Sequence, residues 1–210
     1  MTGVAGLGGI VELGAALTSR GLTPGKTGNL SVRGEGLVSI TPTGAVLGSM
    51  RVEDISTVTA DEGEHVSGRR ASKELAMHQA MYQVHQDCFA IVHVHSLHAV
   101  AVSCLSGIDD REPLPRITPY FDMKVPTLRL VDYHPPGSDD LAVAVRRAAP
   151  GYRSLLLRNH GSLVAAPTLE EAADAAEEIE QTAALMLLLH GRAVNRLSAT
   201  TSPNASGGIR

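Results

Sequence analysis

The chain contains no tryptophan, and aromatic residues make up only 3% of its 210 residues. Stacking platforms for bases or sugar rings are therefore not a theme of its chemistry. Cysteine is equally scarce. Cys88 and Cys104 are too few for a disulfide framework, and each sits in an apolar context, so both read as buried thiols of a reducing cytoplasm. No apolar run comes near the roughly 20 residues that cross a bilayer. The N-terminus lacks the basic region of a signal peptide, so no membrane partner is expected. Positive charge is not in excess either: 18 Lys and Arg stand against 22 Asp and Glu, a net charge of -4. That balance offers no footprint for nucleic acid. What remains is a chain with 43% hydrophobic residues, long enough for a substantial core and close to the size of one domain.

Turn signals and periodicity divide it into elements. A helix is expected from about Leu7 to Arg20, stopped by Gly21. Leu30–Arg33 and Leu37–Thr41 read as a hairpin around Gly34-Glu35-Gly36, and Ile55–Val58 as a further strand. A helix follows Ser72, then an apolar strand carries His93 and His95, then a short helix spans about His98 to Leu105. Asp109–Pro119 reads as a loop, Thr127–Val131 as a strand and Asp139–Ala148 as a helix. Ser154–Leu157 and Ser162–Ala165 are strands. Thr168-Leu169-Glu170-Glu171 has the form of a capping box opening a helix to about His190. The expectation is one domain over residues 1–197 with a loosely held tail at 198–210. Strands and helices interleave without a regular alternation, which predicts an α/β three-layer arrangement: a mixed or mostly antiparallel central sheet flanked by helices.

The apolar run Phe89-Ala90-Ile91-Val92-His93-Val94-His95 is the most informative segment. Strand side chains alternate, so His93 and His95 point the same way. Two imidazoles on one face can share a divalent metal. A third, His160 in Asn159-His160-Gly161, would complete the three-ligand set of a catalytic zinc site and leave a position for substrate. The competing reading is a pair of hydrogen-bonded core histidines. Glu74 also reads two ways. With Ser72 as N-cap it falls in the first helical turn, where a carboxylate gains from the helix dipole; beside a metal it is a general base. Gly28-Asn29 and Thr43-Gly44 flank strand ends, and with Ser72 at a helix start they could cradle a phosphate through N–H, amide and hydroxyl groups.

Together these segments resemble the class II aldolase/adducin family. Gly28-Asn29-Leu30-Ser31-Val32-Arg33, Ile40-Thr41-Pro42-Thr43-Gly44, Ser72-Lys73-Glu74, Val92-His93-Val94-His95-Ser96 and Asn159-His160-Gly161 occur in the family's order over about residues 5 to 195. The resemblance implies zinc, or another divalent metal, on His93, His95 and His160. It implies Glu74 as the acid/base residue and Gly28, Asn29, Thr43, Gly44 and Ser72 as phosphate-binding residues. It also implies a homotetramer with sites at subunit contacts. The apolar stretch Ala183–Leu189 is the one feature of the chain itself that suggests such burial. Val94–Ala101, Ile117–Val125, Tyr133–Gly137 and Glu177–Ala183 are most similar to the 3-oxo-tetronate 4-phosphate decarboxylases. Arg69-Arg70-Ala71 and Pro126 depart from that branch, which bears on the substrate rather than the metal.

The activity so implied is a carbon–carbon lyase acting on a small phosphorylated sugar acid. Zinc would act as Lewis acid while an enediolate forms, and dihydroxyacetone phosphate and CO2 would be the products. An aldolase cleaving a ketose 1-phosphate and a non-catalytic adducin-like module remain the alternatives. Tyr120 is a candidate second proton donor, competing with its reading as a rim tyrosine.

Overall fold

The computed structural model describes residues 4–197; the stretch 198–210, read above as a tail, lies outside the described residues. The strands are β1 (Asn29–Gly34), β2 (Leu37–Ile40), β3 (Ser56–Thr59), β4 (His65–Ser67), β5 (Ala90–Val94), β6 (Leu128–Val131), β7 (Ser154–Leu157) and β8 (Gly161–Ala166). The helices are α1 (Val4–Ser19), α2 (Leu75–Val84), α3 (Leu97–Ser103), α4 (Pro119–Lys124), α5 (Asp139–Ala148) and α6 (Leu169–Leu188).

The strands form one eight-stranded sheet in the order β4-β3-β2-β1-β5-β8-β7-β6. Every pairing is antiparallel except β6 with β7. A parallel pair needs a crossover, and α5 supplies it. The β1–β2 hairpin closes on Glu35 and Gly36, both at positive φ (53° and 75°). Two consecutive left-handed residues are what a tight hairpin with the natural strand twist requires.

Alternation along the central strands feeds two cores. Val92 and Val94 of β5, Leu156 of β7 and Val164 of β8 pack beneath α1, α3, α4 and α6. Ile91, Leu155, Leu157, Leu163 and Ala165 pack beneath α2 and α5. This is the three-layer, mostly antiparallel architecture expected from the sequence.

The differences have local causes. β4 is three residues long and exposed throughout, an edge strand with no buried face to betray it. α4 begins at Pro119, the last residue of the expected loop, and fills a stretch for which the sequence suggested no element. Pro119 takes its first turn, where the missing N–H costs nothing, and Thr118 Oγ1 accepts from Phe121 N at 3.3 Å. α2 begins at Leu75 rather than directly after Ser72. Of the capping box before α6, Thr168 accepts from Glu171 N at 3.1 Å. Cys88 is buried as expected, whereas Cys104, at the end of α3, is exposed.

Candidate metal centre

β5 lies in the middle of the sheet and is buried along its whole length. His93 is opposed by Asn29 on β1 and by Leu163 on β8. It shares a strand face with Ile91, so its ring points to the layer that holds α2. His95 follows one residue past the strand end on the same side. His160 arrives from the tight β7–β8 turn, in which Leu157 pairs with Gly161. Asn159 takes φ 56° there, a left-handed conformation that asparagine tolerates. Gly161 then passes the end of β5 so closely that a β-carbon on it would stand 2.4 Å from the Val94 carbonyl oxygen. The Asn-His-Gly sequence is thus a backbone device that sets His160 against His95.

The three rings meet edge to face. Centroids are 4.7 Å apart for His93–His95, 4.9 Å for His93–His160 and 4.7 Å for His95–His160. One potential ligand atom from each of these rings and from Glu74 lies within 4.8 Å of all the others. His93 Nδ1 donates to the Ser162 carbonyl at 2.8 Å. Its Nε2 therefore presents a lone pair, the usual way a backbone partner fixes a ligating tautomer. That Nε2 is 2.9 Å from His95 Nε2. Both ring nitrogens of His160 and Glu74 Oε1 are buried without a hydrogen-bond partner, although His160 Nε2 and Glu74 Oε1 are 3.2 Å apart. Buried polar atoms are normally satisfied. A bare His160 nitrogen and a bare Glu74 oxygen, grouped with a ring nitrogen each of His93 and His95, fit a divalent cation.

The electrostatics agree. Burial holds the His93 pKa well below its ordinary value, opposed by the nearby Glu74 charge. Burial and the His160 charge bring His95 down to about 4. Neutral imidazole is the form a metal requires. Burial alone would raise the Glu74 carboxyl, but His160, His93 and the Asn29 amide outweigh it and hold the group below its ordinary range, ionised.

Glu74 occupies the cap position before α2 (φ -95°, ψ 12°), and its side chain does not cap the helix. Its backbone N–H donates to Ser72 Oγ at 3.2 Å, and its carboxylate accepts from Asn29 Nδ2 at 2.7 Å. The expectation of Ser72 as N-cap with Glu74 in the first turn is thereby corrected: Ser72 holds the Glu74 backbone, and the carboxylate turns away from the helix toward the histidines.

The five residues expected at a phosphate converge on the same region. Gly28, at φ 78°, passes the His93 carbonyl so closely that a β-carbon would be 2.8 Å from it. Thr41 bonds Leu30 in both directions. Pro42 bridges Ala71, and Thr43 N donates to Arg70 O at 3.1 Å. The Thr43–Gly44 turn is thus drawn alongside Ser72. Of the five residues only Ser72 borders a cavity, one of about 420 Å³ lined by Val58, Gly63, His65 and the stretch 70–73. A larger one of about 490 Å³, between Ile108 and Met186, includes none of these residues. Tyr120 is exposed on α4, and no hydrogen bond or ring contact among the described residues joins it to the histidines.

Two buried groups carry more than their sequence context suggested. His78 is fully buried and bonds Asn29. It stands four residues after Glu74, a helical spacing that marks both for one face. Glu180 on α6 accepts from His98 N at 3.1 Å, Ala99 N at 2.8 Å and His98 Nδ1 at 2.7 Å. It anchors the start of α3 directly after His95 and Ser96.

A buried cluster of three histidines and one carboxylate, built on this sheet, has the form of a metal-dependent enzyme centre. The family pattern described as Class II Aldolase and Adducin N-terminal domain matches residues 9–187, and the chain belongs to that family. Among its relatives is the 3-oxo-tetronate 4-phosphate decarboxylase of Haemophilus influenzae, 40% identical over 192 residues, 91% of each chain. The L-fuculose phosphate aldolase of Methanococcus maripaludis is 33% identical over 88% of this chain and 97% of its own. The crystal structure of YgbL from Klebsiella pneumoniae superposes with a TM-score of 0.91 at 41% identity, covering 95% of this chain and 97% of that one.

Proposed function

We propose that this chain is a metal-dependent carbon–carbon lyase that converts a 3-oxo-tetronate 4-phosphate to dihydroxyacetone phosphate and CO2. The observation that carries the reading is the cluster itself: His93, His95 and His160 converge with Glu74 in a chain that keeps its similarity to such decarboxylases over nine-tenths of its length. The three imidazoles would hold the cation, zinc being the metal their nitrogen set suits. When bound, the cation supplies Lewis-acid polarisation of substrate oxygens.

The remaining steps belong to the chain's own groups. The Gly28, Gly44 and Ser72 segments hold the phosphate, helped by the Asn29 amide and the Thr43 hydroxyl. Ionised Glu74 accepts a proton from the substrate's C2 hydroxyl. The C1–C2 bond breaks, its electron pair moves toward the C3 oxygen, and CO2 leaves. Glu74 returns its proton to C2, and one further proton from solvent completes the product. Exposed Tyr120 serves as a second proton donor only if it reaches a neighbouring subunit's site. That requirement goes with the homotetramer, which is part of the same proposal. It is supported by the apolar end of α6, where Leu188 is 75% exposed and Leu185, Met186 and Leu187 are half-buried.

No helix among the described residues is long and apolar enough to cross a membrane. A cytoplasmic setting is proposed from the two unpaired cysteines. The aldolase reading, cleavage of a ketose 1-phosphate to dihydroxyacetone phosphate and an aldehyde, is favoured by the similarity to the fuculose phosphate aldolase. The non-catalytic module is opposed by the intact cluster. Incubating the metal-loaded protein with 3-oxo-tetronate 4-phosphate, and assaying CO2 and dihydroxyacetone phosphate together, tests the proposal. Stoichiometric release of both supports it; cleavage of fuculose 1-phosphate without CO2 release from the oxo acid replaces it with the aldolase.

A further inference from the structure

Glu74, His78 and Tyr82 recur at intervals of four and lie along one face at α2. Asn29 and Ser31, two apart on β1, share one strand face. The two stripes meet in a single run of hydrogen bonds. Tyr82 OH is 2.9 Å from Ser31 Oγ, and Ser31 Oγ is 2.7 Å from His78 Nδ1. His78 Nε2 is 2.5 Å from Asn29 Oδ1, and Asn29 Nδ2 is 2.7 Å from Glu74 Oε2. All five residues are buried.

The direction of each proton follows from the carboxylate end. An ionised carboxylate only accepts, so the Asn29 atom that faces it is the amide nitrogen. The Asn29 oxygen then faces His78 and needs a donor, so Nε2 carries the ring proton. Burial, partly offset by the Glu74 charge, brings the His78 pKa down to about 4, so the ring is neutral near pH 7. Nδ1 therefore accepts from the Ser31 hydroxyl, and Ser31 accepts from Tyr82. The run donates in one sense, from the interior toward Glu74.

We propose that His78 is a positioning residue: by donating from Nε2 to the Asn29 side-chain oxygen it fixes which way that amide faces, and so holds the Glu74 carboxylate in the orientation that transfers the proton. The proposal rests on the reading of Glu74 as the proton-transfer group. It also gives Asn29 two duties, because the second amide N–H remains for a substrate phosphate. A reversed amide would set oxygen against carboxylate, and an Asn29 released by His78 is free to turn. An apolar residue at position 78 fills the space but supplies no donor.

The test uses His78→Leu, His78→Gln, Glu74→Gln and the pair His78→Leu/Glu74→Gln, each metal-loaded. Outer partners of catalytic groups are typically worth about 10–100-fold. His78→Leu should lose that much in kcat, with KM and metal content little changed. His78→Gln, whose amide can donate in place of Nε2, should recover most of the loss. In the Glu74→Gln background, His78→Leu should add nothing, because both act through one group. Nitrogen-15 spectra of the histidine rings should show His78 protonated on Nε2, a readout independent of turnover and of whether any variant folds.

Wild-type kcat in folded His78→Leu, a full further loss in the double variant, no recovery with Gln, or a proton on Nδ1 each overturns the proposal. If Glu74→Gln is itself fully active, the proton-transfer reading falls and takes this one with it. If Glu74→Gln is inactive while His78→Leu is not, only the positioning role falls.

Discussion

Gly161 lies against the backbone of Val94, with room for no β-carbon: one placed there would be 2.4 Å from the Val94 carbonyl oxygen and 3.2 Å from its carbon. Both neighbours are main chain of a central strand and cannot step aside. Gly161→Ala must therefore move the β7–β8 turn, and His160 with it. We expect metal affinity to fall at least tenfold, with a loss of stability of about 1–3 kcal/mol, the usual size of an overpacking penalty. Metal titration of the purified variant checks this; unchanged affinity would show that the turn can relax without moving His160.

The histidine cluster should bind one divalent cation per chain. His95→Ala should remove most of the affinity while leaving the fold intact, because His95 lies past the end of β5 rather than within the sheet. The cation should also raise the melting temperature of the wild-type protein. A ligand at 100 times its Kd stabilises by about 2.7 kcal/mol. Elemental analysis and thermal melts with and without a chelator decide the matter. Equal metal content in wild type and His95→Ala would remove His95 from the ligand set.

Glu74→Gln should keep both the fold and the metal yet lose about 10²–10⁴-fold in turnover, the range of one general acid/base group. A residue that only opposed a helix dipole would cost about 0.3–1 kcal/mol of stability and leave the rate unchanged. Turnover and melting temperature measured on the same sample separate the two. A fall in melting point with full activity would mean that the Glu74 carboxylate serves the fold alone.

His78 should make stability depend on pH. Its pKa is lowered from 6.5 to about 4 in the folded protein. The folded state thus prefers the neutral ring, whereas the unfolded chain takes up a proton below about 6.5. The contribution is complete above about pH 6.5 and is lost as the pH falls toward 4. At full strength a shift of this size corresponds to about 3 kcal/mol. Urea unfolding of wild type and His78→Gln at pH 7, 5.5 and 4.5 should show the difference between them shrinking with acid. A constant difference would place the wild-type pH dependence on other groups.

Much of this arrangement can be read from the chain alone, because it rests on local periodicities. His93 and His95 share a strand face by simple alternation. The sequence points to α5 at about Asp139 to Ala148, where it is found, since Ser138 and the acidic first turn mark its start. The less legible parts depend on tertiary context. β4 has no buried residue to give it a pattern, and Pro119 signals a loop and a helix start alike. Nothing in the sequence alone marks Glu74, His78 and Tyr82 as linked beyond their four-residue spacing. Their meaning comes only from β1, 45 to 47 residues earlier in the chain. The Glu74 side chain turns away from its own helix because Asn29 and the histidines offer better partners than the helix N–H groups, and no propensity encodes that choice.

The pairing of β1 with β5 and of β5 with β8 joins segments that are remote in the chain, and His160 becomes a neighbour of His93 and His95 only when the last of these pairings is made. Contacts of this kind form late in folding, after the loop entropy has been overcome. A cation held by His93, His95 and His160 should therefore act on the way out of the folded state rather than on the way in. Stabilising contacts that are absent from the transition state slow unfolding and leave the folding rate nearly untouched. Stopped-flow measurements with and without a chelator should show similar refolding rates but faster unfolding of the stripped protein. Metal supply would then set how long each molecule lasts as well as whether it is active.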